Sequence, residues 1–154
     1  MTTARNATNA VPTASAPPKI RLVEPRDRDA LLVLWEQAGL AQTAPDQWDA
    51  LMENGTCVVL VGERDGAVIG SAVASFDGWR AFIYHVAVAP AVRRQGVGHA
   101  LMQEAEQYLL GAGARFVYVT VDEQNTEGLA LVAATGYLPE GEVVLAKRLA
   151  TRVA

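Results

Sequence analysis

Val86-Ala-Val-Ala-Pro90-Ala-Val-Arg93-Arg94-Gln95-Gly96-Val97-Gly98-His99-Ala-Leu101 runs from an apolar strand through a basic, glycine-bearing loop into a helix. Parts in that order make an anion site. Glycine lets the backbone turn tightly and come close to a ligand, and the first N–H groups of a helix lack intrahelical partners and carry the positive end of its dipole. Arg93 and Arg94 add fixed charge beside those donors. A P-loop would need Lys followed by Ser or Thr after its last glycine; His99-Ala100 follow Gly98, so that reading is excluded. A dinucleotide fingerprint would need Gly or Ala at position 101, where the chain has Leu101, and it is excluded too.

Downstream of the loop, Val97, Ala100, Leu101, Ala105, Tyr108 and Leu109 recur on one face of a helix expected from about Gly96 to Leu110, which Gly111 and Gly113 end. Arg115 to Val121 alternates Phe116, Tyr118 and Thr120 against Val117, Val119 and Val121, the pattern of a strand. Strand, helix and strand in that order predict a βαβ crossover with parallel neighbours. Asn125 is placed to cap a short helix running to about Thr135, and Val143 to Leu149 reads as a last strand.

Upstream, Cys57 to Gly62 and Ala67 to Phe76 are β-branched and apolar, and Asp65-Gly66 between them is a hairpin turn signal. Ala81 to Val88 is apolar on both faces, as a central strand should be, and Pro90 ends it because proline cannot donate to the ladder. Lys19 to Val23 reads as a first strand. Pro25 and Asp27 open a helix with Leu31, Leu32, Leu34, Trp35 and Ala38 on its inner stripe, and Pro45 opens a second with Trp48, Leu51 and Met52 inward. The order is β, two helices, three antiparallel strands, α, β, α, β: one α+β domain over 19–154 with a mixed central sheet, preceded by a low-complexity tail, 1–18, expected to be disordered.

Half of the 154 residues are hydrophobic, enough for a substantial core. A formal charge of -4 speaks against nucleic acid or an anionic membrane as partner, since both call for a basic field. The arginine pair is therefore a local device. One cysteine, Cys57, cannot form an intramolecular disulfide. No apolar run approaches the length of a membrane span, and the first residues lack the hydrophobic core of a signal peptide, so a cytoplasmic location is expected. No metal is expected.

The pattern Arg93-x-x-Gly96-x-Gly98 directly after Val88-Ala-Pro90 resembles the acyl-CoA-binding motif of the GNAT acetyltransferases, and the resemblance extends from about Ile20 to Leu149. It implies the GNAT fold, acetyl-CoA as co-substrate, and transfer of the acetyl group to a small-molecule or peptide amine by direct attack. In that family the loop amides hold the CoA pyrophosphate, a task that falls here on Arg93, Arg94, Gln95, Gly96, Val97, Gly98 and His99. The pantetheine arm slots beside the central strand and bonds its main chain, which carries over to Val86, Ala87 and Val88, with the Val86 amide as oxyanion donor. Asn125-Thr-Glu-Gly-Leu-Ala-Leu-Val132-Ala-Ala-Thr-Gly136-Tyr137 is similar to the family's second motif, whose asparagine contacts that arm and whose tyrosine protonates the leaving sulfur. Asn125 matches. Val132 stands where the tyrosine should, and Tyr137 fills a packing position.

Many family members carry a carboxylate general base on the central strand, where this chain reads Ile83-Tyr84-His85-Val86. His85 is the replacement candidate, because an imidazole ordinarily titrates at about 6.5; its alternative is a hydrogen-bonded core histidine. Alternation puts Tyr84 on the opposite face, where it would line the acceptor pocket or relay a proton. Trp35 and Trp48 read as core residues that also border the family's acceptor wall. Glu53, Glu63 and Asp77 are surface acids able to attract a cationic amine. The last strand is available to pair between protomers as a homodimer. Two functional readings stay open: an N-acetyltransferase, or an acyl-CoA-binding or sensing module with little catalysis.

Overall fold

Five stretches pair as one mixed sheet in the order β1 (Lys19–Leu22), β2 (Cys57–Arg64), β3 (Ala67–Phe76), β4 (Ala81–Val88) and β5 (Val117–Val119). The first four are antiparallel neighbours, and β5 runs parallel to β4 with Ala81, Phe82 and Ile83 opposite Val117, Tyr118 and Val119. The computed structural model describes residues 16–40 and 45–150; most of the expected N-terminal tail, residues 1–15, lies outside the described residues.

Helices cover both faces. α3 (Val97–Ala112) lays Val97, Leu101, Met102, Ala105 and Leu109 on Leu60, Ile69, Ala72, Ala74 and Ile83, with Leu131 and Val132 of α4 (Thr126–Ala134) packed against the same cluster. On the other face α1 (Arg28–Gln37) and α2 (Pro45–Glu53) bring Leu31, Leu34, Trp35 and Trp48 onto Val59, Val61, Val73 and Ala87. Burying side chains of this size stabilises by about 1.5–3 kcal/mol each before conformational entropy is charged. Close approach sets where α3 begins: a Cβ on Gly70 would stand 2.8 Å from Leu101 Cδ1 and 3.0 Å from the Ala87 carbonyl. The helix start is thereby held against the C-terminal end of β4, which delivers the basic loop to the end of the strand.

The N-terminal strand is locked to the turn ahead of α1 by charge. Arg21 donates to both carboxylate oxygens of Asp27 (2.7 and 2.9 Å) and to Glu63 (2.6 Å), while Asp27 also accepts the Glu24 amide at 2.7 Å. Hydrogen bonds from Arg21 hold the Asp27 carboxyl below its ordinary 3.8 against the opposing effect of burial.

Three expectations change. The 115–121 stretch pairs over only three residues. Val143 to Leu149 is not a strand; Val143, Val144, Leu145 and Leu149 are some of the most exposed apolar side chains among the described residues. β-propensity describes fit to a pleated surface, and a strand exists only where a ladder receives it. Glu63 is not a solvated surface acid but a partner of Arg21.

Candidate active site

Pro90 opens a short turn, Pro90–Val92, and the chain then reverses through the basic loop into α3. Arg94 (φ 60°) and Gly96 (φ 80°) are both left-handed, so the chain turns sharply twice within three residues on its way into α3. Gly96 also caps α3 with no side-chain bond, and the Ala100 amide is bonded to the Gly96 carbonyl at 3.0 Å. The amides of Val97, Gly98 and His99 precede that bond and belong to the open first turn.

The two glycines do different work. A Cβ on Gly96 would meet nothing within 4 Å, so the position is glycine for its backbone conformation. A Cβ on Gly98 would stand 2.8 Å from Leu131 Cδ2, so that glycine lets α4 close on α3. Side chains brace the loop: Arg93 reaches the Val88 carbonyl and Glu127 of α4, each at 3.4 Å, and Arg64 of β2 donates to Gln95 Oε1 at 2.7 Å.

The register between β4 and β5 ends at Ile83, opposite Val119. The two strands part. A cavity of about 780 Å³ opens between them, with His85 to Val88 on one wall and Val119 to Asp122 on the other. Arg93, Arg94, Gly96, Val97, Gly98 and His99 border it, as do Asn125 and Val132 of α4 and the end of α1 from Ala38 to Leu40. Of the residues expected to serve catalysis or cofactor binding, Tyr84 and Gln95 do not line this cavity.

A bulge explains Tyr84. Ser71 of β3 opposes Ala87 and Val73 opposes Tyr84, so Ala72 faces two residues of β4, His85 and Val86. His85 takes up the extra residue at φ 51°. Alternation is broken there, and the Tyr84 and His85 rings come together edge to face at 5.7 Å instead of parting to opposite faces. Val86 and Val88 then pack with the α3 cluster and Ala87 with the α1 cluster. Tyr84 packs among the core residues around Trp35, where burial raises its hydroxyl above the ordinary range.

Trp35 and Trp48 are core residues, 2% and 4% exposed, with ring centroids 5.8 Å apart. Trp35 also meets the His85 ring edge-on at 5.1 Å and donates its indole N–H to Ser71 Oγ at 2.8 Å. That hydroxyl in turn donates to the His85 carbonyl at 3.3 Å. Sequence reasoning passed over Ser71, whose one signal is a polar residue inside the apolar run Ile69-Gly-Ser-Ala-Val73.

At the start of α4, Asn125 Oδ1 accepts the Gly128 amide at 2.9 Å as a helix cap, and its side-chain amide nitrogen is the group available to a ligand in the cavity it borders. Val132 presents an aliphatic side chain. Tyr137 donates its hydroxyl to Glu106 of α3 at 2.9 Å, does not line the cavity, and is pushed up by burial and by that carboxylate. Asp77 accepts the Trp79 and Arg80 amides in a turn, and neither it, Glu53 nor Glu63 borders the cavity. Among the described residues no group of His, Cys, Asp and Glu could hold a metal ion, and no helix is long and apolar enough to cross a membrane.

The arrangement suits a long ligand with a diphosphate at one end and an extended hydrogen-bonding arm at the other. Backbone amides and two guanidinium groups border one end of the cavity, and β4 beyond its pairing with β5 borders the other. The acetyltransferase (GNAT) family profile matches residues 22–137. Solved structures with the same fold include AAC(6')-Iy in complex with a CoA-containing bisubstrate analogue (18% identity, 88% of this chain and 100% of that one, TM-score 0.74). Another is the aminoglycoside acetyltransferase meta-AAC0020 from an uncultured soil metagenomic sample, in complex with sisomicin (20%, 87% and 97%, TM-score 0.72). A putative acetyltransferase from Agrobacterium tumefaciens also superimposes (16%, 85% and 99%, TM-score 0.70). At these identities the likeness is one of fold.

Proposed function

The chain belongs to the GNAT acetyltransferase family, and from that premise we propose that it is a cytoplasmic, acetyl-CoA-dependent N-acetyltransferase acting on a small-molecule or peptide amine. The observation that carries this reading is the parting of β4 and β5 beyond Ile83 with the left-handed basic loop at the end of the gap. The loop amides from Arg94 to His99 hold the pyrophosphate, with Arg93 and Arg94 adding charge. The main chain of Val86, Ala87 and Val88 pairs with the pantetheine arm, and the Asn125 amide meets it from the other wall.

Bound acetyl-CoA supplies the thioester that the amine attacks directly. Cys57 sits on the hairpin away from the cavity, its thiol raised by burial, and provides no acyl carrier. The Val86 amide donates to the carbonyl oxygen as negative charge develops on it. His85 takes the proton of the incoming amine. An alkyl ammonium near pKa 10.4 is neutral at pH 7 in on the order of one molecule in a few thousand, so a base beside the acyl group speeds the step without having to be strong.

A second reading has its own observation. Val132 borders the cavity where a proton donor would serve the leaving thiolate, and Tyr137 is engaged with Glu106. A module that binds acyl-CoA with little turnover fits both. Calorimetric titration with acetyl-CoA, followed by an amine screen monitored by release of free CoA thiol, separates the readings. Micromolar binding with turnover supports the transferase, binding without turnover of any amine supports the module, and no binding by a folded protein refutes both. Val132→Tyr is expected to raise turnover tenfold or more in an enzyme short of its acid, and to leave a pure binding module inactive.

A further inference from the structure

We infer that Ser71, a fully buried residue of β3 outside the cavity, is the positioning residue that holds the β4 bulge and so sets the main chain facing the acyl group; this rests on the transferase reading above. A hydroxyl at 0% exposure in an apolar sheet is costly unless its hydrogen bonds are met. Both are met by one device. Trp35 of α1 donates to Ser71 Oγ at 2.8 Å, and Ser71 donates to the carbonyl of His85, the residue at φ 51° where β4 carries its extra position. The Trp35 ring also stands edge-on to the His85 ring, so one α1 residue touches both ends of the contact.

The consequence runs through the backbone. A bulged residue steps out of the ladder, and its left-handed conformation is unfavourable for a non-glycine residue unless its surroundings hold it. Ser71 gives the carbonyl of the bulged residue a donor from the neighbouring strand. Without it the extra residue has less to fix it, and the phase that sends Val86 and Val88 to the α3 cluster and His85 to the cavity is loosened. Pyrophosphate binding depends on the loop at the far end of β4 and is insulated from the change. The clamp therefore acts on the reacting end of the site and little on the affinity for CoA.

The test compares Ser71→Ala with Trp35→Phe. Both lose the indole–hydroxyl bond, but Trp35→Phe leaves the hydroxyl to donate to His85. Ser71→Ala is expected to lower kcat by tenfold or more with KM for acetyl-CoA changed less than threefold. Trp35→Phe also changes the ring that meets His85, so its effect is read from the His85 chemical shifts and not from kcat. Ser71→Cys, a weaker donor, recovers part of the loss. Independently of turnover, the His85 Cα and Cβ chemical shifts report its positive φ, expected in the wild type and in Trp35→Phe and lost or broadened in Ser71→Ala. Unchanged His85 shifts in Ser71→Ala, or a Ser71→Ala kcat within twofold of the wild type, would overturn the assignment. If the wild type turns over no amine, the transferase reading fails while the shifts still decide whether Ser71 holds the bulge.

Discussion

Placing a carboxylate at position 96 sets the fold's tolerance against the ligand's. Gly96 lies at φ 80°, and a Cβ there meets nothing within 4 Å, so Gly96→Ala costs only the left-handed conformation, about 1–2 kcal/mol. For a domain of this size that lowers the melting temperature by roughly 2–8 °C. Gly96→Glu pays the same conformational cost and adds a negative charge at the mouth of the loop. At about 5 Å from a phosphate charge and an effective dielectric near 20, repulsion is on the order of 3 kcal/mol, or a factor of about 200 in Kd. Calorimetric titration with acetyl-CoA, paired with thermal melts, reads both quantities. Expected are two folded variants with similar melting temperatures, Gly96→Ala binding within about tenfold of the wild type and Gly96→Glu more than a hundredfold weaker. Wild-type affinity in a folded Gly96→Glu would refute the loop as the pyrophosphate site.

Other outcomes follow from the charge and hydroxyl partners. Asp27→Asn should destabilise the protein by about 3 kcal/mol in urea titration, because it removes the charge from a pair whose side chains are 12% and 4% exposed. Since the native Asp27 carboxyl is lowered from 3.8, its contribution is complete above about pH 5 and is lost as pH falls through the lowered native value; Asp27→Asn should flatten that acid limb. Tyr137→Phe should cost about 1 kcal/mol through the Glu106 contact and leave kcat unchanged, which separates it from a proton donor. Of the two carboxylates bordering the cavity, Glu127 is engaged with Arg93, and the lining residues Ala38, Gly39 and Leu40 carry no charge. Acceptors with one amine and a neutral body should therefore show higher kcat/KM than polycations such as aminoglycosides in the CoA-release screen.

Elements with a strong local cause were legible. Asp65-Gly66 joins β2 to β3, Pro90 stops β4, and Gly113 ends α3 in a left-handed conformation at φ 103°. Each is a backbone requirement written in one or two residue types. Gly111, also expected to stop the helix, lies inside it. The 143–149 stretch has the composition of a strand, but composition says nothing of whether an edge is there to receive it, and β5 ends after three residues. Chemical type likewise said nothing of partners: Glu63 looked like any surface acid until Arg21, 42 positions away, stood 2.6 Å from it.

The site divides in the same way. Its loop could be read because left-handed turns and an open helix start depend on glycine, and the charge beside them on arginine. Its wall could not, because what shapes β4 is a count of residues between two strands. One more residue on β4 than on β3 between the Ser71–Ala87 and Val73–Tyr84 pairs reverses the alternation, and no property of His85 or Tyr84 alone announces it. Once the count is known, the rest has physical causes. His85 faces the cavity, Tyr84 is confined to the core around Trp35, and the buried hydroxyl of Ser71 has a carbonyl to bond. A polar residue buried within an apolar strand is thus the sequence's one trace of the bulge, since a buried hydroxyl needs partners and Ser71 finds its acceptor at the bulged residue.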